Sequence, residues 1–385
     1  MTWLAVVVAA QAIALVALVA RLRGGRKRSP AVAPVEFGLE DTTVSVLLPT
    51  LNEGQRVGPC LEGLTRQRAP LTEILAIDSG SSDDTLARVA EAQRRDPRFR
   101  VIDDRPLPDG WIGKVWALET GRRVATGEWL LGVDADTQPL PGLVGGVVAA
   151  ARAHGFDIVS FSPRFSGMTS AEQWVQPALL TTLVYRTGAA GDRSPDPDRV
   201  LANGQCFLAR AAVLAEGGGY APARESFSDD VTLVRHYAAR GYRVGFLDGS
   251  RLYLVRSYES LSQMWREWGR SIDLRDSTTR LRLYLDIAFL VLVQALPLPL
   301  LVTLGLRAPL SGAPNVLTAA LGVNAAMVVI RVLMLGALRH SYDRPGVAFW
   351  LSPLADPLAV ARLVISAVRR PTHWRGREYS ARSSD

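Results

Sequence analysis

Two aspartates separated by one residue form a pattern with specific chemistry. Asp134 and Asp136 follow the apolar run 128–133 in the segment GVDADTQP. Two carboxylates that leave a strand at this spacing can hold a hard divalent cation, and that cation can bridge the phosphates of a nucleotide diphosphate leaving group. The alternative is a solvated turn, where Asp is common. The predicted strand in front of the pair favours the metal site.

Predicted strands and helices, which would position these carboxylates, alternate along residues 42–282. Short β-rich runs separated by amphipathic stretches predict an α/β fold, a mostly parallel sheet with helices on both faces. Ligands of such sheets bind at the carboxyl ends of the strands. The predicted strands are 44–48, 73–77, 99–102, 128–133 and 157–161, and the predicted helices are 55–66, 84–95, 114–125 and 140–153.

Polar residues also follow the first two predicted strands. PTLNEG (49–54) comes after the first strand, and DSGSSDD (78–84) after the second. A carboxylate such as that of Asp78 can accept hydrogen bonds from a base or a ribose, and Gly and Ser let a nucleotide approach the backbone. The alternative is that Asp78 belongs to the cap of the following helix. Both interpretations place Asp78 at the same edge of the sheet.

Four segments in this order resemble the family 2 glycosyltransferases, whose nucleotide-sugar-binding fold is called GT-A. They are VSVLLPTLNE, AIDSGSSDDT, GVDADTQP and FSDDVTL, and the resemblance covers residues from about 44 to 270. A fifth segment, GWIGKVWA (110–117), is similar to a stretch of the membrane glycosyltransferases associated with hopanoid and carotenoid glycosylation. The resemblance implies a Rossmann-like GT-A domain.

The resemblance implies roles for residues on the donor side. Pro49, Asn52 and Glu53 would line the nucleoside pocket, and Asp78 would contact the uracil or the ribose. Lys114 would face the donor, where its charge could meet the diphosphate. The alternative for Lys114 is a solvated lysine on a helix.

The resemblance also implies the metal ligands and the catalytic base. Asp134 and Asp136 would share the cation and the donor, with Asp136 as the direct ligand. Asp229 and Asp230 resemble the acidic pair whose second member is the base, so Asp230 is predicted as base and Asp229 as a substrate-binding residue. Adjacent helical side chains point about 100° apart, so one of the two faces the reaction centre. The alternative is that both cap the helix that follows.

The segment QMWREW (263–268) resembles the Gln-x-x-Arg-Trp element of many relatives, with one glutamate inserted before Trp268. The insertion argues against a processive polymerase. By the resemblance, Arg266 or Arg270 would neutralise the diphosphate, and Trp268 or Trp265 would stack on a sugar or reach the membrane interface. NGQC (203–206) resembles the acceptor-side strand of the family, and GGG (217–219) is predicted as a loop or a plain turn.

Long apolar runs at both ends predict a membrane protein. Positive charge follows the first run, which favours an uncleaved anchor and a cytoplasmic catalytic domain over a signal peptide; a buried core helix is the alternative. Arg331 would reach toward the lipid headgroups. The predicted parts are an anchor (1–22), a basic linker (23–41), the GT-A domain (42–257), an amphipathic interfacial helix (258–283), a transmembrane hairpin (284–338), and an interfacial or re-entrant segment with a basic tail (339–385).

The composition of the chain argues against nucleic-acid binding, a disulfide framework and a zinc site. The 385 residues are 48% apolar and 21% charged, and their net charge of +7 comes largely from arginines beside the apolar runs, so nucleic acid is not a predicted partner. Two distant cysteines and four scattered histidines predict neither a disulfide framework nor a zinc site.

The predicted protein is an inverting glycosyltransferase of the inner cell membrane. It would use Mg²⁺ or Mn²⁺ to move one sugar from a nucleotide diphosphate sugar, with UDP favoured, to a hopanoid- or carotenoid-like lipid. Two alternatives stay open. One is a polyprenyl-phosphate or processive polysaccharide glycosyltransferase, and the other is a noncatalytic membrane adaptor that keeps the fold.

Overall fold

A computed structural model of the chain describes residues 2–188, 191, 197–256, 258, 260–271, 276, 278–307, 315–368, 373–374 and 377–378. The chain divides into two compact units. The sheet unit comprises Arg28–Ser166, Ala190–Ser257 and Thr372–Asp385. The helical unit comprises Met1–Lys27, Gly167–Ala189 and Tyr258–Pro371.

The elements follow one another along the chain with these bounds. The strands are β1 (Val44–Thr50), β2 (Leu71–Asp78), β3 (Phe99–Asp103), β4 (Trp129–Val133), β5 (Thr137–Pro139), β6 (Ile158–Ser162), β7 (Arg164–Phe165), β8 (Cys206–Arg210), β9 (Val244–Asp248), β10 (Tyr253–Val255), β11 (His373–Trp374) and β12 (Arg377–Glu378). The helices are α1 (Thr2–Leu22), α2 (Gly58–Thr65), α3 (Thr85–Arg95), α4 (Gly113–Val124), α5 (Leu143–His154), α6 (Ser170–Thr187), α7 (Ala211–Glu216), α8 (Asp229–Ala239), α9 (Leu261–Ser271), α10 (Arg280–Leu290), α11 (Pro297–Gly305), α12 (Asn315–Leu338), α13 (Val347–Trp350) and α14 (Asp356–Val368).

The sheet unit is built on a seven-stranded sheet of order β3-β2-β1-β4-β8-β6-β9. Strand β8 runs antiparallel to β4 and β6, and the other neighbouring strands pair in parallel. Nearly all residues of β1, β2 and β4 are buried, as expected for strands covered on both faces. The five predicted strands and four predicted helices are present, with ends within three residues of the prediction. The predicted α/β class is therefore confirmed.

The helical unit exposes most of the large apolar side chains. Among the described residues, 22 of the exposed large hydrophobic side chains lie in this unit and four lie in the sheet unit. Within the part of the chain that the structure describes, two helices are long and apolar enough to cross a membrane, Trp3–Leu22 and Asn315–Ser341. A third span is possible if Arg280–Ala295 and Pro297–Gly305, bent by 41°, are counted together. An apolar surface of this extent marks an interaction with lipid or protein.

Helix α6 belongs to the helical unit, whereas a continuous domain over 42–257 was expected. Thr169 and Glu172 form a capping box at its start. Inside the unit, Arg186 of α6 pairs with Asp286 of α10 at 3.2 Å, and Gln294 donates to the carbonyl of Ala178 at 2.9 Å. Arg186 and the backbone carbonyl of Ala178 on α6 therefore have buried partners in its own unit. The predicted linker 23–41 also differs, because residues from Arg28 onward belong to the sheet unit.

Arg331 is buried, so the prediction that it reaches the headgroups is wrong. Its side chain is 5% exposed, and Nε lies 3.1 Å and 2.9 Å from the two carboxylate oxygens of Asp356. Nη2 donates to Ser352 Oγ at 3.0 Å. A buried cation in apolar surroundings is stable when it is paired and hydrogen-bonded, and Asp356 supplies the partner.

A second buried contact joins the first helix to a late one. The side-chain amides of Gln11 on α1 and Asn324 on α12 donate to each other at 2.9 Å and 3.1 Å, and both residues are fully buried. Reciprocal amide pairs satisfy donor and acceptor together, which apolar surroundings require. Helix α1 is therefore an integral part of the helical unit.

The structure describes part of the remaining predicted membrane segments, whose placement in a membrane stays a prediction. The predicted helix over 258–283 is interrupted, since α9 ends at Ser271 and α10 begins at Arg280. The segment 347–368 is broken into α13, a short 3₁₀ turn and α14, which fits an interrupted apolar segment. The outer turn of the hairpin at 308–314, and most of the basic tail, including Arg369, Arg370, Arg375 and Arg382, lie outside the described residues.

Candidate functional site

The candidate site lies at the carboxyl ends of β2, β1 and β4, which are neighbours in the sheet. The loops that leave these strands carry the acidic segments singled out in the sequence. Strand β8 pairs with β4 so that Cys206 lies opposite Val133, and the amide of Asp134 donates to the carbonyl of Gln205 at 3.3 Å. Residues 203–205 therefore lie beside the Asp134–Asp136 turn.

Hydrogen bonds join the loops after β1 and β2. The amide of Asn52 donates to Ser81 Oγ at 3.0 Å, and Asn52 Oδ1 accepts from the amide of Ser82 at 2.8 Å. Asn52 adopts a φ of 54°, in the left-handed region that Asn tolerates. Glu53 is buried and pairs with Arg56 at 3.2 Å. Pro49 is partly exposed at the end of β1. The predicted contacts of Pro49, Asn52 and Glu53 with a nucleoside stay predictions.

Asp78 shapes the loop that follows β2. Its Oδ2 accepts from the amides of Gly80 at 3.0 Å and Ser81 at 2.9 Å, and Oδ1 accepts from Thr50 Oγ1 at 3.3 Å. Helix α3 begins later, at Thr85, so the helix-cap alternative for Asp78 is wrong. The carboxylate holds a turn at the sheet edge, and its predicted contact with a base or ribose stays a prediction.

Lys114, at the start of α4, holds the first aspartate of the pair. Its Nζ lies 2.7 Å from Asp134 Oδ1 and 2.9 Å from Oδ2. The side chains are 13% and 24% exposed, so the pair is partly shielded from water. The solvated-lysine alternative is therefore wrong.

Asp230 is fixed at the first turn of α8. Its Oδ2 accepts from the amide of Gly204 at 2.7 Å, and Oδ1 accepts from the amide of Val231 at 2.8 Å. A Cβ on Gly204 would lie 2.8 Å from Lys114 Nζ and 3.7 Å from Asp230 Oδ2. The backbone at Gly204 therefore joins Asp230 to the Lys114–Asp134 pair, and the structure brings these predicted residues together.

The charges of this cluster shift the pKa of two of its members. Burial raises the pKa of Asp230 to about 7, the negative charge of Asp229 adds to the rise, and Lys114 with the Gly204 and Val231 amides opposes it. Burial alone lowers the pKa of Lys114, but the charges of Asp134, Asp229 and Asp230 outweigh burial and hold that pKa above its ordinary value. A carboxylate with a pKa near neutrality is suited to accept a proton at physiological pH.

The Asp134–Asp136 turn fits a cation that also binds a ligand. Both side chains are partly exposed, and both supply the oxygen donors that Mg²⁺ and Mn²⁺ prefer. Within the described part of the chain, no three His, Cys, Asp or Glu residues converge as a ready metal site. Because Mg²⁺ commonly uses one or two carboxylates together with substrate phosphates, these residues fit a cation completed by a diphosphate.

The two residues predicted from QMWREW lie in the helical unit. Both are on α9, where Arg266 is exposed and Trp268 is 5% exposed. Burial of Trp268 is at odds with a ring that stacks on a sugar. Its neighbour Trp265 is partly exposed, and the Trp265 carbonyl accepts from Arg362 Nε at 2.7 Å. Contact of Arg266 with a donor stays a prediction.

The position that sequence reasoning missed is Gly204. The sequence placed NGQC beside the acceptor but assigned no role to its glycine. In the structure, Gly204 stands out because it has no Cβ at a point where the Lys114 ammonium and the Asp230 carboxylate approach the backbone. Nothing in local composition marks such a glycine, because the approaching groups come from α4 and α8.

Gly204→Ala is expected to lower turnover by about 100-fold, because displacing Lys114 by an ångström misplaces the charges of the site. The melting temperature should change little, since the atom that must move is the end of a flexible side chain. Initial rates and thermal melting measure both. Gly58→Ala is the matched control, because a Cβ there meets nothing within 4 Å. Unchanged turnover in Gly204→Ala would contradict this role.

The pH dependence of kcat/KM is expected to follow Asp230. Since its pKa is raised to about 7, the ionised base is depleted below that pH, and kcat/KM should fall about tenfold per pH unit on the acid side. Above about pH 8, where Asp230 is ionised, kcat/KM should no longer change with the titration of this group. The profile is measured under saturating cation, with protein integrity checked at each pH. A profile that stays level through neutrality down to about pH 5.5 would exclude this assignment.

Comparison with known sequences identifies the domain. Residues 45–218 match the sequence family described as Glycosyl transferase family 2. Residues 45–218 form a family 2 glycosyltransferase domain. The predicted family is confirmed, and the matched residues of this glycosyltransferase domain include Asn52, Asp78, Lys114, Asp134 and Asp136.

Curated relatives and a solved structure resemble parts or all of this chain. Glycosyltransferase AglE of Haloferax volcanii is 27% identical over 188 residues, covering 44% of this chain and 60% of that protein. A PGL/p-HBAD biosynthesis glycosyltransferase of Mycobacterium bovis is 34% identical over 92 residues, covering 24% and 34%. The chain thus spans less than two thirds of either relative. The mannosyltransferase PcManGT of Pyrobaculum calidifontis, solved with GDP-Man and Mn²⁺, shares the fold with a TM-score of 0.55 at 20% identity, covering 95% and 98%.

Proposed function

We propose that the protein is a membrane-bound inverting glycosyltransferase that moves one sugar from a nucleotide diphosphate sugar to a hydroxyl of a lipid. The observation that carries the proposal is the cluster at Gly204, where Asp230 lies beside the Lys114–Asp134 pair at the carboxyl edge of the sheet. It combines a proton acceptor with charged groups suited to a diphosphate; Lys114, Asp134 and Gly204 lie within the residues that match the family, and Asp230 follows that match.

Asp230 acts as the base in this proposal. Its carboxylate accepts the proton of the acceptor hydroxyl while that oxygen bonds to the anomeric carbon, and the bond from that carbon to the diphosphate oxygen breaks on the opposite face. The amides of Gly204 and Val231 hold the carboxylate in place. A divalent cation held by Asp136, when bound, supplies charge neutralisation for the diphosphate. Lys114 adds a positive charge on the same side.

A lipid acceptor is supported by the apolar surface of the helical unit and by its two candidate spans. A catalytic domain tethered to a bilayer can reach an insoluble acceptor. Hopanoid- or carotenoid-like acceptors follow from the resemblance of GWIGKVWA. In the structure, Trp116 of this segment packs edge-to-face on Trp111 at 5.2 Å and donates to the carbonyl of Asp104, while Lys114 reaches Asp134. Of these contacts, the one between Lys114 and Asp134 involves the residues proposed to bind the donor.

The test incubates the purified full chain in detergent with Mn²⁺ or Mg²⁺, a panel of UDP-, GDP- and dTDP-sugars, and either lipid extract or water-soluble acceptors. Both uridine and guanosine donors belong in the panel, because UDP was predicted and PcManGT was solved with GDP-Man. Mass spectrometry should find a single added sugar on a lipid, lost with a chelator and restored by the cation. A long sugar chain would favour the processive alternative, and absence of both donor binding and product would favour the adaptor.

A further inference from the structure

The structure shows that the Asp134 carboxylate is already held by a cation of the chain itself. Lys114 Nζ contacts both carboxylate oxygens, at 2.7 Å and 2.9 Å. Asp134 is also one of the two residues that would share a divalent cation. An incoming cation at Asp134 must therefore displace the ammonium of Lys114 or share the carboxylate with it.

The site is shaped for an ammonium in this position. A Cβ on Gly204 would lie 2.8 Å from Lys114 Nζ, so the glycine leaves the space that the ammonium fills. The chain contains 44 Lys plus Arg residues, of which Lys27 and Lys114 are the only lysines. An ammonium is a compact point charge, whereas a guanidinium is a planar fork that needs more room. The residue type at position 114 thus matches the space beside Gly204.

Displacing Lys114 is unfavourable unless another anion receives it. Breaking a shielded ion pair leaves an unpaired charge, and a divalent cation placed at Asp134 would repel the nearby ammonium. A nucleotide diphosphate removes both penalties, because its phosphate oxygens accept the ammonium and complete the coordination of the cation.

We infer that Lys114 acts as a placeholder for the divalent cation, so that the cation and the nucleotide diphosphate bind this site together and the cation alone binds weakly. The inference rests on the proposed function, because it presumes a diphosphate at this edge of the sheet. By linkage, the cation must strengthen nucleotide binding by the same factor by which the nucleotide strengthens cation binding.

The test measures Mn²⁺ binding by electron paramagnetic resonance on the full chain in detergent, without nucleotide and with each of UDP, GDP, dTDP and CDP. For the wild type we expect weak binding of Mn²⁺ alone and at least about tenfold tighter binding with a matching nucleotide. In Lys114→Met, Mn²⁺ alone should bind about tenfold more tightly, and the gain from nucleotide should shrink by a similar factor. Calorimetric titration of the nucleotide with and without Mn²⁺ measures the reciprocal effect, which is the gain in nucleotide affinity that Mn²⁺ produces.

Two further variants make the result interpretable. Gly204→Ala displaces the ammonium without removing its charge, and it should also tighten binding of Mn²⁺ alone. Arg100→Gln is the matched control for loss of one positive charge, because Arg100 pairs with Glu73 at 2.9 Å near the start of β3, away from the carboxyl edge. Its Mn²⁺ binding should equal that of the wild type. Thermal melting confirms that each variant is folded.

Two results would overturn the inference. If Lys114→Met and Gly204→Ala bind Mn²⁺ alone as weakly as the wild type, while nucleotide strengthens all three equally, the placeholder is excluded and the proposed function stands. If no variant binds Mn²⁺ with any nucleotide, the metal-dependent function fails together with the inference.

Discussion

Asp230→Asn is expected to lower sugar transfer by about 10³-fold while donor binding persists. The Gly204 and Val231 amides donate to different carboxylate oxygens of Asp230, and the single amide oxygen of Asn can keep one of these two hydrogen bonds. An amide does not take up the proton of an acceptor hydroxyl, so the chemical step fails although the site keeps its shape. Initial rates with saturating donor and acceptor, together with calorimetric donor titration, separate the two effects.

The pH dependence of the thermal stability of Asp230→Asn tests whether its loss of sugar transfer comes from removing a carboxylate with a raised pKa. The pKa of Asp230 is raised in the folded protein, so the unfolded chain holds fewer protons between about pH 4 and pH 7, and stability falls as pH rises through that window. Asp230→Asn should therefore melt higher than the wild type above pH 7, with the difference shrinking toward pH 4. Asp41→Asn, on an aspartate whose side chain is 75% exposed, is the matched control for both readouts. Full transfer by Asp230→Asn would remove Asp230 from the role of base.

Arg331→Leu is expected to destabilise the helical unit by about 3–5 kcal/mol, because it leaves the Asp356 carboxylate buried without its cation. The side chains of the pair are 5% and 4% exposed, so solvent gives little compensation. Gln294 Nε2 still donates to Asp356 Oδ1 at 3.1 Å, but one amide does not neutralise a charge. Thermal melting of the detergent-purified chain, monitored by size-exclusion chromatography, measures the effect.

The double variant Arg331→Leu with Asp356→Leu distinguishes pairing from packing. Removing both charges eliminates the unpaired group, so the double variant should melt higher than either single variant. Arg339→Leu is the matched control, since Arg339 is exposed just beyond the end of α12 and its loss should change melting little. A double variant as unstable as the sum of the single variants would show that the pair contributes no specific coupling.

Much of the sheet unit could be predicted from the sequence because its strands are buried on both faces and read as continuous apolar runs. β1 and β4 are examples, and the acids after them fall at one sheet edge by the geometry of parallel strands. The roles proposed for Asp134 and Asp136 as metal ligands and for Asp230 as base were predicted on this ground together with the family resemblance. The structure adds how Lys114 and Gly204 connect them.

Tertiary partners explain what could not be predicted. Arg331 sits near one end of an apolar run, where a long side chain often reaches the headgroups, and its true partner Asp356 lies 25 residues later. Helix α6 carries Glu172, Gln176 and Arg186, which suggest a surface helix, yet all three are buried within the helical unit. Arg331 and Arg186 are both paired with an aspartate on a distant segment, and local periodicity holds no record of such pairing.

The amide pair between Gln11 and Asn324 has a consequence for synthesis and engineering. These residues are 313 positions apart, so α1 waits for its partner while more than 300 further residues are translated. Arg28–Ser166 and Ala190–Ser257 of the sheet unit are translated during that interval and can fold in it. Deleting α1 to obtain a water-soluble enzyme would strip Asn324 of its partner and open the helical unit, so truncation at the amino terminus is a poor route to a crystallisable fragment.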